Sequence, residues 1–445
     1  MENTLKKINH WISTSITVKL ISIGILILIL LIPLAMIQGL IRERNMLGNE
    51  AREEVSELWG HSQTITGPLL SIPYYRYFKD DDKVKKVIEY AHFLPEQLHI
   101  NGEVLPKKRY RGIYEVIVYN ANLQYDGHFS FPDLASLNID SADVLWDDIS
   151  LEVGIPDMRG IRENIHLRWV QQDYTFKPGL ETDEVLLYGM NVKSMLFNPE
   201  NVLEQYKFSF NLNLNGSKDL QVVPVGQQNK VTLRSSWPDP KFMGSFLPEN
   251  HDIGSNGFTA KWKVLSLNRN FPQQWKGINR KLQEAAFGVE MLVPVDEYQK
   301  TMRSAKYGLM IIVLTFTIFF FVEVLNWKRI HPFQYILVGL ALALFYVLLL
   351  SIAEHTNFNI AFGLSGLLVL VMVILYTRTV YQNTKLAVYT GLSLVAMYGF
   401  IFITIQQQDL ALLFGSIGLF IILAVVMWLS RKVNWYKGEE GTIAG

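Results

Sequence analysis

The serine of Gly363-Leu364-Ser365-Gly366 is the first residue that could do covalent chemistry. A free hydroxyl is a weak nucleophile at neutral pH and needs a base beside it. The last histidine of the chain is His355, so no imidazole follows the motif. Small residues that let helices approach closely explain the same tetrapeptide, and that reading is preferred. Asp157 and Arg159 are the most suggestive polar pair elsewhere; a turn closed by a local carboxylate–guanidinium contact is favoured over catalysis. Glu323 interrupts an apolar run, where an acid can mark a proton path. Lys328 and Arg329 follow closely, so pairing or snorkelling is expected instead. His331, Glu354 and His355 could hold a metal or a proton. The apolar segment between His331 and Glu354 is long enough to put them on opposite surfaces of a bilayer, about 30 Å apart. They then form no single cluster, and capping or interfacial anchoring is expected.

The remaining chemistry is thinner. His92 and His99 have poor metal-ligand spacing. Asp80-Asp81-Asp82 reads as a hairpin tip rather than a calcium site, because no second ligand cluster or EF-hand spacing follows. There is no HExxH, phosphate loop or dinucleotide fingerprint. No catalytic residue, cofactor or metal ligand is therefore assigned. Asp157, Arg159, His331, Glu354 and His355 stand as the candidate functional residues.

The elements that carry these residues follow from where charge is missing. The chain has 445 residues, 41 basic and 41 acidic, and no cysteine. A cysteine-free chain excludes disulfide frameworks, thiol nucleophiles and iron–sulfur sites. A neutral balance argues against a nucleic-acid partner. Residues 42–305 hold 30 basic and 35 acidic residues, whereas the flanking parts together hold 11 and 6. Leu20 to Ile41, Tyr307 to Leu325, Pro332 to Ala353, Phe358 to Thr377, Leu386 to Ile405 and Leu410 to Ser430 are apolar runs of bilayer-spanning length. Six transmembrane helices are expected, the lipid bilayer being the first partner. The first run contains Pro33 and lacks a clear small-residue cleavage site, so it reads as an uncleaved anchor. Lys6, Lys7, Lys19, Lys328, Arg329, Arg378, Lys385, Arg431, Lys432 and Lys437 fall on one side, and the two short opposite loops carry no Lys or Arg. That bias puts both termini in the cytoplasm and residues 42–305 outside it, in the periplasm of a Gram-negative cell. Arg42, Arg44, Arg303 and Lys306 run against the bias, but a long translocated domain obeys it weakly. Trp327, Trp428 and Trp435 fit an inner-face aromatic belt.

The outer domain reads as β. Lys207 to Leu214 alternates apolar and polar at every position, the mark of a strand with one buried face. Ser71 to Phe78, Val84 to Leu94, Ile113 to Tyr119, Gln124 to Phe131, Leu220 to Val225 and Lys230 to Ser235 read similarly, with Gly, Pro, Asn and Asp between them. Arg42 to Gln63 reads as a helix that continues beyond the membrane or as a juxtamembrane amphipathic segment. Lys276 to Ala286 reads as a short helix, and Asp296 as the cap of the helix that enters the second span. Trp237 and Trp262 are expected in the core. The expected protein is an integral membrane protein with six transmembrane α-helices. A large extracytoplasmic antiparallel, sandwich-like β domain is inserted between helices 1 and 2. The divisions fall at 1–41, 42–305, 306–430 and 431–445.

Three blocks of this chain resemble the CreD family of bacterial inner-membrane proteins, known for cell envelope integrity and colicin tolerance. The first is Pro156-Asp157-Met158-Arg159-Gly160-Ile161. The second runs from Leu212-Asn213-Leu214-Asn215-Gly216-Ser217 through Ser236-Trp237-Pro238-Asp239-Pro240 to Phe246-Leu247-Pro248. The third runs from Ala305-Lys306-Tyr307 through His331-Pro332-Phe333-Gln334-Tyr335 to Glu354-His355-Thr356. The resemblance covers nearly the whole chain in the same order. It implies an inner-membrane protein of the envelope-stress response and carries over no catalytic residue. Three readings stay open: a non-enzymatic envelope protein whose β domain binds or braces an envelope component or membrane partner, a handler of lipid or small amphiphiles, and an intramembrane hydrolase. The last rests on Ser365, since the motif in the fourth span also resembles rhomboid proteases.

Overall fold

The structure, a computed structural model, describes residues 16–80, 83–194, 196–278, 281–291, 297–326, 330–407 and 410–433. The chain divides into two compact units: Met1–Gly48 with Val295–Gly445, and Asn49–Pro294.

Six helices are long and apolar enough to cross a membrane. Helix α1 (Ile16–Trp59) holds both the charge-free run and the charged stretch after it. Its 44 residues extend about 66 Å at 1.5 Å per residue, roughly twice a hydrocarbon core. Helix α2 (Glu297–Lys306) leads into α3 (Gly308–Leu325); α4 (Pro332–Ala353), α5 (Phe358–Tyr381), α6 (Thr384–Gln406) and α7 (Ala411–Ser430) follow. The starts of α5 and α6 are set by Asn357 and Asn383, whose side chains accept the first free backbone N–H groups. Leu26, Leu30, Leu34, Ile37 and Ile41 form one stripe of α1 and share a buried cluster with Phe316, Val338 and Leu342. Gly339 permits this packing: a Cβ there would lie 2.2 Å from a Leu30 methyl. Trp428 stays exposed near the end of α7, with the Lys432 ammonium 4.2 Å from its ring centre. Trp327, Lys328, Arg329, Asp296 and Trp435 lie outside the described residues.

The second unit holds two sheets. The nine-stranded sheet has the order β13-β17-β11-β1-β5-β9-β8, with β2 on β1 and β16 on β2. Its members are β1 (Gln63–Asp80), β2 (Lys83–Phe93), β5 (Ser150–Gly154), β8 (Lys177–Pro178), β9 (Gly189–Lys193), β11 (Asp219–Val222), β13 (Pro240–Gly244), β16 (Gln274–Lys276) and β17 (Phe287–Met291). The eight-stranded sheet has the order β14-β15-β12-β3-β4-β10-β6-β7. Its members are β3 (Gln97–Arg111), β4 (Tyr114–Phe129), β6 (His166–Trp169), β7 (Gln172–Thr175), β10 (Tyr206–Ser217), β12 (Gln228–Ser235), β14 (Asn250–Gly254) and β15 (Gly257–Leu265). Inward faces of both contribute to one core, including Trp237 and Trp262, which is the sandwich the alternation predicts.

Three details differ from the sequence reading. The ladders are antiparallel except two: β1 pairs with β11, and β3 with β12, in parallel. Most of Ile113–Tyr119 and Gln124–Phe131 forms one strand, β4 (Tyr114–Phe129). The asparagines between them looked like a break, but the Asn120 amide donates to Asn213 Oδ1 across the sheet at 2.7 Å. Within Lys276–Ala286, among the described residues only Lys281–Ala285 is helical, as a 3-10 turn. Asp81 and Asp82 lie outside the described residues, but β1 and β2 pair as far as Asp80 and Lys83, as a hairpin requires.

Candidate functional site

The most chemically loaded place in the β unit is a buried polar chain. Pairing of β1 with β2 sets Ser71 opposite His92, and pairing of β1 with β5 brings Glu152 alongside. The Ser71 hydroxyl lies 3.0 Å from Glu152 Oε2, to which it donates when Glu152 is ionised, and 3.0 Å from His92 Nδ1. His92 Nε2 lies 3.0 Å from Glu184 Oε2. Glu152 Oε1 accepts from the Ser150 hydroxyl at 3.0 Å and from the Glu181 backbone N–H at 3.2 Å. Ser71, His92, Ser150 and Glu152 are wholly buried, while the Glu184 side chain is 25% exposed. The ring of Trp275 packs 5.4 Å from that of His92.

Proton counting defines what this chain can do. Three hydrogen bonds in series, from Glu152 through Ser71 and His92 to Glu184, need three protons. A neutral serine and a neutral histidine supply two. The third is carried by Glu152, His92 or Glu184. Burial pushes the Glu152 carboxyl up to about 7, against the hydrogen bonds from Ser71, Glu181 and Ser150 that favour its anion. Burial also lowers His92, with Glu184 drawing it partly back. Both effects put the extra proton on Glu152. The arrangement can hold and relay one proton between a half-buried and a fully buried carboxylate. Ser71 shares the residue types of a hydrolytic triad, but it is 0% exposed and no substrate carbonyl can reach it.

The sequence-derived candidates are placed elsewhere, and Asp157, Arg159, His331 and Glu354 make structural contacts there. Asp157 accepts from Arg159 Nε and Nη2, both at 2.9 Å, from the Arg159 backbone N–H at 3.1 Å and from the His61 backbone N–H at 3.0 Å. Burial alone would raise its carboxyl, but these donors hold it below the usual range. Gly160 completes the turn, since a Cβ there would sit 2.3 Å from the Asn215 carbonyl oxygen. His331 caps α4: its Nδ1 accepts from the Phe333 N–H at 3.2 Å, and Gln334 Oε1 accepts from its own N–H at 3.0 Å. Glu354, at the other end of the 22-residue α4, accepts from the Tyr298 hydroxyl at 3.3 Å and faces Arg44 Nε at 3.8 Å. His355 is exposed beside it. His92 and His99 belong to different sheets, and His99 faces Asp126 Oδ2 at 3.2 Å. Among the described residues no group of three or more His, Asp or Glu could hold a metal.

Two further residues lie in the spans. Glu323 is buried and bonded to Tyr335 at 3.0 Å, to the Ile330 N–H at 3.3 Å and to Lys19 Nζ at 3.0 Å. Among the described residues its cationic partner comes from α1, while Lys328 and Arg329 lie outside them. Ser365 Oγ is buried with no hydrogen-bond partner; of the motif's glycines, Gly366 is buried with a Cβ there 3.9 Å from the Phe345 ring, whereas a Cβ at Gly363 would meet nothing within 4 Å.

Together these features define a class: a multi-pass membrane protein with a large β domain between its first span and the other five. Its described polar side chains tie strands and helices together. Residues 15–436 match the family described as Inner membrane protein CreD. The chain is 32% identical over 416 residues to the Inner membrane protein CreD of Escherichia coli (strain K12), covering 92% of this chain and 91% of that one. The chain belongs to the CreD family, and it is a multi-pass inner-membrane protein.

Proposed function

We propose that the protein supports envelope integrity without catalysis, by binding or bracing an envelope component through its β domain on the periplasmic side. The observation that carries this reading is the far end of the β1–β2 hairpin. Arg76 to Lys79 and Val84 to Ile88 are exposed on both faces. Tyr77, Phe78, Val84, Val87 and Ile88 lie bare there, interleaved with Arg76, Lys79, Lys85 and Lys86. Exposed apolar side chains gathered in one place mark an interaction surface. Arg76 is paired with Glu89 at 2.6 Å, and the lysines Lys79, Lys85 and Lys86 fit an envelope component that is anionic and partly apolar. The orientation rests on the Lys and Arg bias, with both termini in the cytoplasm.

A deletion strain rescued under envelope stress tests this. Full-length protein with Tyr77, Phe78, Val87 and Ile88 changed to serine is expected to reach the membrane, melt normally and fail to rescue. Ser365→Ala is expected to rescue fully. Full rescue by the hairpin variant would remove the proposed surface, and a folded Ser365→Ala protein that fails would reinstate hydrolysis. Reporter fusions after Arg378 should read as cytoplasmic.

A further inference from the structure

Between α1 and α2 the membrane unit has an open cleft of 480 Å³. Gln38, Ile41, Arg42 and Asn45 contribute the α1 side; their spacing of three, four and seven residues puts them on one helix face. Met302, Arg303 and Lys306 are the opposing contributions of α2. The two helices are pinned by the Gln38 amide, which donates to the Ala305 carbonyl at 3.5 Å.

Four facts set the depth and chemistry of this cleft. Ile41 is the last residue of the charge-free run of α1, and Tyr307 opens the next one, so the cleft lies where hydrocarbon gives way to headgroups. Arg42, Arg303 and Lys306 line it, and among the described residues none of the three has a carboxylate within ion-pair distance. These are the same cations that run against the charge bias of the other loops. Asn45 also lines the cleft, and its Oδ1 is buried and accepts no hydrogen bond. Ile41 and Met302 supply an apolar floor. Three exposed cations, an amide whose oxygen has no donor and an apolar floor match a phosphodiester with a hydroxyl on one side and a glycerol ester on the other.

We propose that this cleft is a phosphoryl-group site that takes the headgroup of a membrane glycerophospholipid. Arg42, Arg303 and Lys306 surround the phosphate, Asn45 accepts from a headgroup hydroxyl, and Ile41 and Met302 meet the glycerol end. The site is separate from the β1–β2 hairpin, and neither reading depends on the other.

Native mass spectrometry of the full-length protein in detergent, with dioleoyl phosphatidylglycerol added, tests it. The wild type is expected to retain the lipid, and to prefer it to phosphatidylcholine, whose headgroup has no hydroxyl. R42Q/R303Q/K306Q is expected to bind phosphatidylglycerol roughly tenfold or more weakly, whereas R42K/R303K/K306R keeps binding within a few fold. Met302→Trp fills the cleft with every charge retained, and it should also lose the lipid. Inorganic phosphate that raises the melting temperature of the wild type but not of the triple glutamine variant, and displaces the lipid, would support the phosphoryl chemistry and name free phosphate as its source. Equal phosphatidylglycerol binding by wild type and the triple glutamine variant, or by Met302→Trp, overturns the proposal.

Discussion

Glu152→Gln should abolish a pH dependence that the buried chain builds into the β unit. Glu152 sits at about 7 in the folded protein against 4.5 for the ordinary carboxyl. A raised carboxyl means that the folded state holds the proton more tightly than the unfolded one. Its stabilising effect is complete below 4.5 and is lost as pH rises through 7. The gap of about 2.5 units corresponds to about 3 kcal/mol. His92 acts in the opposite sense, because its lowered value removes stability as pH falls below the ordinary 6.5. Above pH 6.5 only the Glu152 contribution remains, about 0.8 kcal/mol of the total by the same linkage relation. Glutamine can donate its amide hydrogen to Ser71 as the protonated acid does, so the variant should match the wild type near pH 4.5. It should exceed the wild type by about 3 kcal/mol at pH 8. The groups around the site, Glu181, Glu184, Lys193 and Tyr90, are common to both proteins and cancel in the difference. The assay is hydrogen exchange by mass spectrometry on the full chain in detergent, following peptides from β1, β2 and β5 and corrected for intrinsic exchange rates. A wild-type-minus-variant difference that does not change with pH, or a variant less protected at pH 8, would refute the proton count.

Asp157→Ala leaves the His61 N–H and three donors of Arg159 without their acceptor, and a loss of about 2–4 kcal/mol is expected in the same exchange experiment on peptides around residues 61–63 and 156–161. Because Asp157 is held below its ordinary value, its wild-type contribution is present above that value and lost as pH falls through the folded one. Gly339→Val should lower the melting temperature in detergent through its clash with Leu30, while Gly363→Ala should leave it unchanged. Glu323→Leu should destabilise the bundle and Lys19→Met should restore part of the loss. A double-mutant cycle is expected to give a coupling of about 1–3 kcal/mol.

The membrane half was legible because its signal is local: a span is a run of residues without charge, and each run can be read by itself. Strand β10 was legible for the same reason, since Lys207 to Leu214 alternates in place. The buried chain was not. Ser71, His92 and Glu152 come from separate stretches that strand register unites, and Glu184 joins them from the connection between β8 and β9. Strand β5 is buried at all five positions, so Ser150-Leu151-Glu152-Val153-Gly154 shows no period-2 pattern. A carboxylate between two aliphatic residues in so short a segment was the available signal. His331 and Glu354 were correctly separated by the length of one helix. Lys19 could not be matched to Glu323 by counting along the chain, because the bundle brings α1 beside α3.

The two parallel ladders also set a timetable for synthesis. The edge of β3 that pairs with β12 belongs to Gln97–Val104, whereas its partner begins at Gln228, roughly 130 residues later. At about 5–20 residues per second the ribosome needs roughly 7–26 seconds to supply it. Hairpins such as β1–β2 and β3–β4 can close as they emerge, but both sheets keep an open edge until β11 and β12 arrive. Open edges recruit stray strands. The nascent β unit therefore spends its most aggregation-prone interval while α1, already made, can hold the chain at the membrane and keep its neighbours dilute.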